Sequence, residues 1–161
     1  MLSRPSFAVA GATLTGILIA MLLILAPTDW WLGQLDPVWR AAYVLRYAPS
    51  FDAPCGQPAP AGMNTSEAWR LVSISPRADS VFKELVYSDD IRYPALLYGL
   101  AGVHFTDPGF FAKALPRVSA ATDSVTVSVR CVKVRAPVVS LTDDLRSGKW
   151  TSRLQETAAH R

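Results

Sequence analysis

Between Phe7 and Ala26 the chain runs for 20 residues without a charged side chain, through Ile17, Leu18, Ile19, Met21, Leu22, Leu23, Ile24 and Leu25. At about 1.5 Å per residue, a helix of that length matches a hydrocarbon layer of roughly 30 Å. The sequence therefore predicts a transmembrane anchor over residues 1–27. A cleaved signal peptide with Arg4 as its n-region is the alternative. Its apolar core is normally only about 7–15 residues and is followed by a small-x-small cleavage site, whereas this run closes on Leu25-Ala26-Pro27. Ala8, Ala12, Gly16 and Ala20 recur at every fourth position and line one side of the expected helix. Small residues let helix backbones approach closely in lipid, so this stripe predicts packing on other transmembrane subunits, with chance as the competing reading. The run has no ionisable group, so it offers no metal ligand to a pigment or haem and no proton path.

Arg4 precedes the run and the next basic residue is Arg40. The positive-inside rule then places the amino terminus in the cytoplasm and the body in the periplasm, anchored in a bacterial inner membrane. Cys55 and Cys131 lack C-x-x-C spacing and read as one structural disulfide formed in an oxidising compartment, or else as two buried thiols. Half of the residues are hydrophobic and 18% are charged, with a mean hydropathy of +0.21. Such a bias suggests that part of the chain meets something other than water. A net charge of +3 is too small for the dense basic face that nucleic acid requires.

Trp30 and Trp31 stand where an interfacial aromatic belt is expected. Asp36-Pro37 then gives an N-cap and a proline at the first helical position, predicting a helix to about Ala48. Trp39, Tyr43 and Tyr47 fall on one side of it. This segment, 28–49, reads either as an amphipathic helix on the lipid bilayer or a partner's surface, or as a helix whose aromatics are core of the following domain. Residues 50–63, with Pro54, Pro58, Pro60 and Gly56, have no periodicity and read as a strap.

Residues 64–150 read as an extracytoplasmic domain. Asn64 with Glu67, Ser75-Pro76, Pro94 and Asp107-Pro108 announce four helices, whose short connections predict two antiparallel hairpins stacked side by side. Gly99 and Gly102 in the third allow close packing. From Ser124 to Cys131 apolar residues alternate strictly, then Val132 and Val134 take the opposite parity, so a strand is followed by a bulge or tight turn near residues 130–132. A last helix over Pro137 to Ser147 ends at Gly148, and 151–161 is a polar, fraying tail. The fold class expected is α+β and mostly helical, with one transmembrane helix, one interfacial helix and a small domain of stacked helical hairpins plus a short β element.

Charge is uneven, with seven basic against nine acidic residues through Ala112, and nine against four from Lys113 onward. Arg130, Lys133, Arg135, Arg146 and Lys149 form either a basic patch for an acidic partner or anionic head groups, or a solvated face. Catalytic constellations are missing. Ser80-Val81-Phe82-Lys83 fits S-x-x-K, but the chain is short for that fold and lacks K-T-G. Asp89-Asp90 and Asp143-Asp144 suit turns and helix starts, and His104 suits a helix end. A zinc site of Cys55, His104, Cys131 and His160 has no supporting spacing. No catalytic residue, metal site or cofactor is assigned.

Cys55-Gly56, Leu97-Tyr98-Gly99-Leu100, Asp107-Pro108 and Cys131 resemble the pattern of small uncharacterised bacterial envelope domains with HEAT-like helical hairpins. The resemblance covers about residues 55–148 and implies a fold and a disulfide, but no activity. The arrangement also resembles accessory single-span subunits of bacterial photosynthetic reaction centre–antenna complexes or of respiratory complexes. It implies a non-catalytic structural subunit of a larger membrane assembly. The alternative is a free-standing envelope binding or adaptor protein, and an enzyme comes last.

Overall fold

The computed structural model describes residues 36–52, 62–88, 92–129 and 132–159. All belong to the second of the two units, divided between Gln34 and Leu35, that make up the chain. Asp36 accepts from the Val38 amide at 2.8 Å and Pro37 supplies a preset φ, which together start α1 (Pro37–Arg46). A two-residue strand, β1 (Phe51–Asp52), follows. Asn64 accepts from the Glu67 amide at 2.8 Å and opens α2 (Thr65–Ser73). The Ser75 hydroxyl accepts from the Arg77 amide and shapes a turn, so α3 (Ala78–Tyr87) begins two residues beyond Pro76. Pro94 lies in the first turn of α4 (Tyr93–Thr106). Asp107 ends α4 and, accepting from the Phe110 amide at 2.9 Å, opens α5 (Pro108–Ala114). A single turn, α6 (Pro116–Ser119), leads to β2 (Ser124–Val129) and β3 (Val132–Pro137). The chain closes with α7 (Val138–Arg146) and α8 (Lys149–Ala159).

α4 occupies the centre. Ala95, Leu97, Tyr98, Gly99, Leu100, Ala101, Gly102 and Val103 are all buried, so it has no polar stripe and must be covered from every side. α3 lies closest against it, and α1, α2, α5, α7, α8, β1 and β2 complete the shell. The closeness depends on glycine. A Cβ at Gly99 would stand 2.9 Å from Leu85 Cβ, and one at Gly102 would overlap the Phe82 ring. Phe82 is fully buried and packs against Trp69 of α2 at 5.8 Å between ring centroids. Tyr98, Phe51 and Trp150 form a second aromatic cluster, with centroid separations of 4.8 and 4.5 Å about Phe51. The sheet order is β1-β2-β3, with β1 parallel and β3 antiparallel to β2.

Several expectations change. The described fold is mostly helical α+β, but its helix pairs are α1 with α2 and α3 with α4, one step out of register with the hairpins expected from loop length. α1 is no separate interfacial element, because Ala41, Val44 and Leu45 lie in the same core as Trp69 and Leu100. The expected fraying tail is α8, anchored by Trp150 (1% exposed) and Leu154, with the Thr151 hydroxyl donating to the Ala101 carbonyl at 3.1 Å.

The single-span architecture is also corrected. Phe7–Ala26 lies outside the described residues, and no helix among those described is long and apolar enough to cross a membrane. The most apolar, α4, has 14 residues, about 21 Å of helix against a hydrocarbon layer of roughly 30 Å. Over Ala95–Val103 its apolar surface is largely met by protein. The inner-membrane location with a cytoplasmic amino terminus and periplasmic body is therefore unsupported. Cys55 and Cys131 likewise lie outside the described residues, among which there is no disulfide-bonded pair, so the expected disulfide is withdrawn.

Two substitutions test this packing by urea denaturation. Gly102→Ala lowers stability by about 1–3 kcal/mol, because overlap with the Phe82 ring outweighs the gain in helix propensity. Trp150→Ala costs about 3–5 kcal/mol, whereas truncation in a frayed tail would leave the midpoint unchanged.

Candidate functional site

α1 turns two different faces outward and inward. At 100° per residue, Ala41 and Leu45 project about 200° from Trp39 and Tyr43. The first pair is fully buried, and Trp39, Tyr43 and Tyr47 are 46%, 42% and 54% exposed. Packing α1 beside α3 then forms a groove of about 220 Å³ lined by Trp39, Ala42, Tyr43, Val81 and Leu85. Arg46 and Glu84 also line it and form an ion pair at 3.4 Å. A second Arg46 nitrogen donates to the Ser88 hydroxyl at 2.7 Å. Tyr43 and Tyr47 stack obliquely at 4.5 Å, which stiffens the aromatic row. The groove is apolar and shallow, shaped for an inserted side chain and poor in groups for acid–base chemistry.

Of the expected interfacial residues, Trp39, Tyr43 and Tyr47 share this face, while Trp30 and Trp31 lie outside the described residues. So do Ala8, Ala12, Gly16 and Ala20. Val81 and Leu85, buried on α3, form the groove's far wall, a role that sequence reasoning missed. Their spacing of four on α3 was visible, but the approach of a helix forty residues upstream was not.

The S-x-x-K match resolves into structural contacts. Ser80 donates its hydroxyl hydrogen to the Arg77 carbonyl at 2.9 Å. Lys83 Nζ lies 2.8 Å from Asp79 and 2.7 Å from Asp107, and 5.1 Å from the centre of the Phe110 ring. Hydrogen bonding to Asp107 and then Asp79 raises the Lys83 pKa above its ordinary 10.5, so the amine stays cationic and is a poor base. The same contact, with the Phe110 amide second, lowers the Asp107 pKa below 3.8. This cluster ties α3 to the corner between α4 and α5.

The basic patch divides. Arg146 pairs with Asp143 at 2.6 Å within α7, and Lys149 at the start of α8 pairs with Asp144 of α7 at 2.9 Å, so both are committed to local contacts. Lys133 and Arg135 lie exposed on β3 with no ionic partner among the described residues, and Arg130 lies outside them. His104 packs edge-on against Phe111 at 4.8 Å. It also approaches Gly148, where a φ of +73° and an added Cβ that would stand 3.1 Å from His104 Cε1 together call for glycine. Cys55, Cys131 and His160 are outside the described residues, and among those described no group of three His, Cys, Asp or Glu is placed to hold a metal.

No family model, curated protein or solved structure matches the chain. The expected likenesses to envelope domains and to photosynthetic subunits therefore gain no support, and the photosynthetic assignment is withdrawn.

The Lys83 cluster makes a pH prediction. Its Asp107 contribution is present above pH 3.8 and is lost as pH falls through the lowered folded-state pKa. Its Lys83 contribution is present below pH 10.5 and is lost as pH rises through the raised one. In a pH series of urea midpoints, Lys83→Met flattens both arms relative to the parent chain.

Proposed function

We propose that residues 36–159 form a non-catalytic accessory domain that docks on a partner protein through the groove between α1 and α3. The observation that carries this reading is the exposed row of Trp39, Tyr43 and Tyr47 on one side of α1 beside an apolar recess. Exposed aromatics on a rigid helix lose little conformational entropy on binding and bury much apolar area, which suits them to interface anchors. The row extends about 12 Å along α1, since eight residues of helix separate Trp39 from Tyr47. That length matches two turns of a partner helix, whose apolar side chain enters the recess while its flanks meet the Arg46–Glu84 pair.

Size favours a side chain over a free small molecule. Ligand pockets typically enclose roughly 300–1,000 Å³ and bury most of their ligand, and this groove holds about 220 Å³ and is open along one side. The non-catalytic reading is supported by the polar clusters, because Lys83, Asp79 and Asp107 tie α3 to the α4–α5 corner and the Ser80 hydroxyl is engaged with the Arg77 carbonyl at the start of its own helix.

Site-specific photo-crosslinking in the source cells tests the proposal. A benzophenone amino acid at position 39 or 43 is expected to trap one defined protein, and the same probe at Ser140 none. Trp39→Glu is expected to abolish that adduct from position 43 while leaving the melting temperature unchanged, as surface substitutions generally do. Equal adducts from all three positions, or none from 39 and 43, would overturn it.

A further inference from the structure

β3 is one of the two edge strands of the sheet, and it is exposed along nearly its whole length. Val132 and Val134 are 62% and 49% exposed, Lys133 and Arg135 are exposed beside them, and only Ala136 is half-covered. The register shows how the edge is equipped. Val129 opposes Val132, Val127 opposes Val134 and Val125 opposes Ala136. Residues flanking a two-residue connection form a closely hydrogen-bonded pair, and such pairs then alternate along the ladder. Val132, Val134 and Ala136 therefore direct their amides and carbonyls to β2, and Lys133 and Arg135 direct theirs to the open edge. Side chains alternate as well. Val132 and Val134 extend the face on which Val125 and Val127 are buried, forming an uncovered apolar ledge, while Lys133 and Arg135 project from the opposite face.

We infer that β3 is a docking edge for an extended segment of a partner protein that alternates apolar and acidic residues. The added strand pairs with the outward backbone groups of Lys133 and Arg135. It lays its apolar side chains beside Val132 and Val134 and its carboxylates beside the two cations. Charge decides the occupant. A second copy of the chain would set Lys133 and Arg135 against Arg135 and Lys133, and like charges directly opposite destabilise a strand pair. An acidic strand meets the same two cations favourably, and neither has an ionic partner among the described residues. This surface is separate from the groove, and the inference stands without it.

The test uses the full chain and a short fluorescein-labelled peptide alternating valine and glutamate, read by fluorescence anisotropy. Binding is expected, with the amide resonances of Lys133 and Arg135 shifting most. The charge-reversed variant Lys133→Glu/Arg135→Glu, both positions being solvent-facing, is expected to weaken it by about tenfold or more at an unchanged melting temperature. N-methylation of alternate peptide amides removes strand pairing at constant charge and is expected to abolish binding. The inference is overturned if the peptide does not bind, if the N-methylated or lysine-substituted peptide binds as well, or if β3 pairs with itself.

Discussion

The fold depends on α4 being apolar on every side and on the two glycines that let α3 approach it. A helix that buries its whole circumference cannot lie at a surface, so its neighbours are arranged around it. Gly99 and Gly102 set the distance on the α3 side, and the Phe82 ring occupies the space that side chains there would fill. Phe82 in turn fixes Trp69 and with it α2, while Tyr98 reaches Phe51 and Trp150 and so ties in β1 and α8. Segments from both ends of the described chain thus meet through one helix. The indole nitrogens of Trp69 and Trp150 are buried with no hydrogen-bond partner among the described residues, a cost offset by the apolar area these rings bury.

Covering α4 consumes one face of each surrounding element and determines what the other faces offer. α1 spends Ala41, Val44 and Leu45 on the core, which turns Trp39, Tyr43 and Tyr47 outward. β2 spends Val125 and Val127 on the core, and β3, one strand further out, is beyond its reach. The two candidate docking surfaces differ in kind. The groove presents side chains alone and suits an inserted residue from a helix, while the β3 edge presents backbone groups and selects an extended chain. Polar residues elsewhere are mostly committed to structure, as in the Lys83 cluster and the helix-end pairs of Asp143 and Asp144.

Local signals were legible where a residue acts on its own neighbours. The caps at Asp36, Asn64 and Asp107, the C-terminal glycine of α7, and the parity change between β2 and β3 all follow from contacts within a few residues. Pairing of helices was not legible in this way. Short connections suggested α2 against α3 and α4 against α5, but burial of α4 draws α3 onto it and leaves α2 to α1. The last segment was misread for a related reason. Its polar composition hides Trp150, Thr151 and Leu154, which share one face of α8 and meet partners fifty or more residues upstream. Half of the candidate groove was readable in the Trp39, Tyr43, Tyr47 spacing, and the half supplied by α3 was not.

The amino-acid order alone determined the starts of the capped helices, the extended and turning segments around residues 124–137, and the two glycines at which helices can approach. These depend on propensity, capping and steric size, which act over one turn of chain. Tertiary structure decided which helices pair, that the aromatic face of α1 stays outside, that α8 is anchored, and that, among the described residues, Lys133 and Arg135 have no ionic partner while Arg146 and Lys149 do. Those outcomes depend on which apolar faces compete to cover α4, a contest among segments far apart in the chain that no local pattern records.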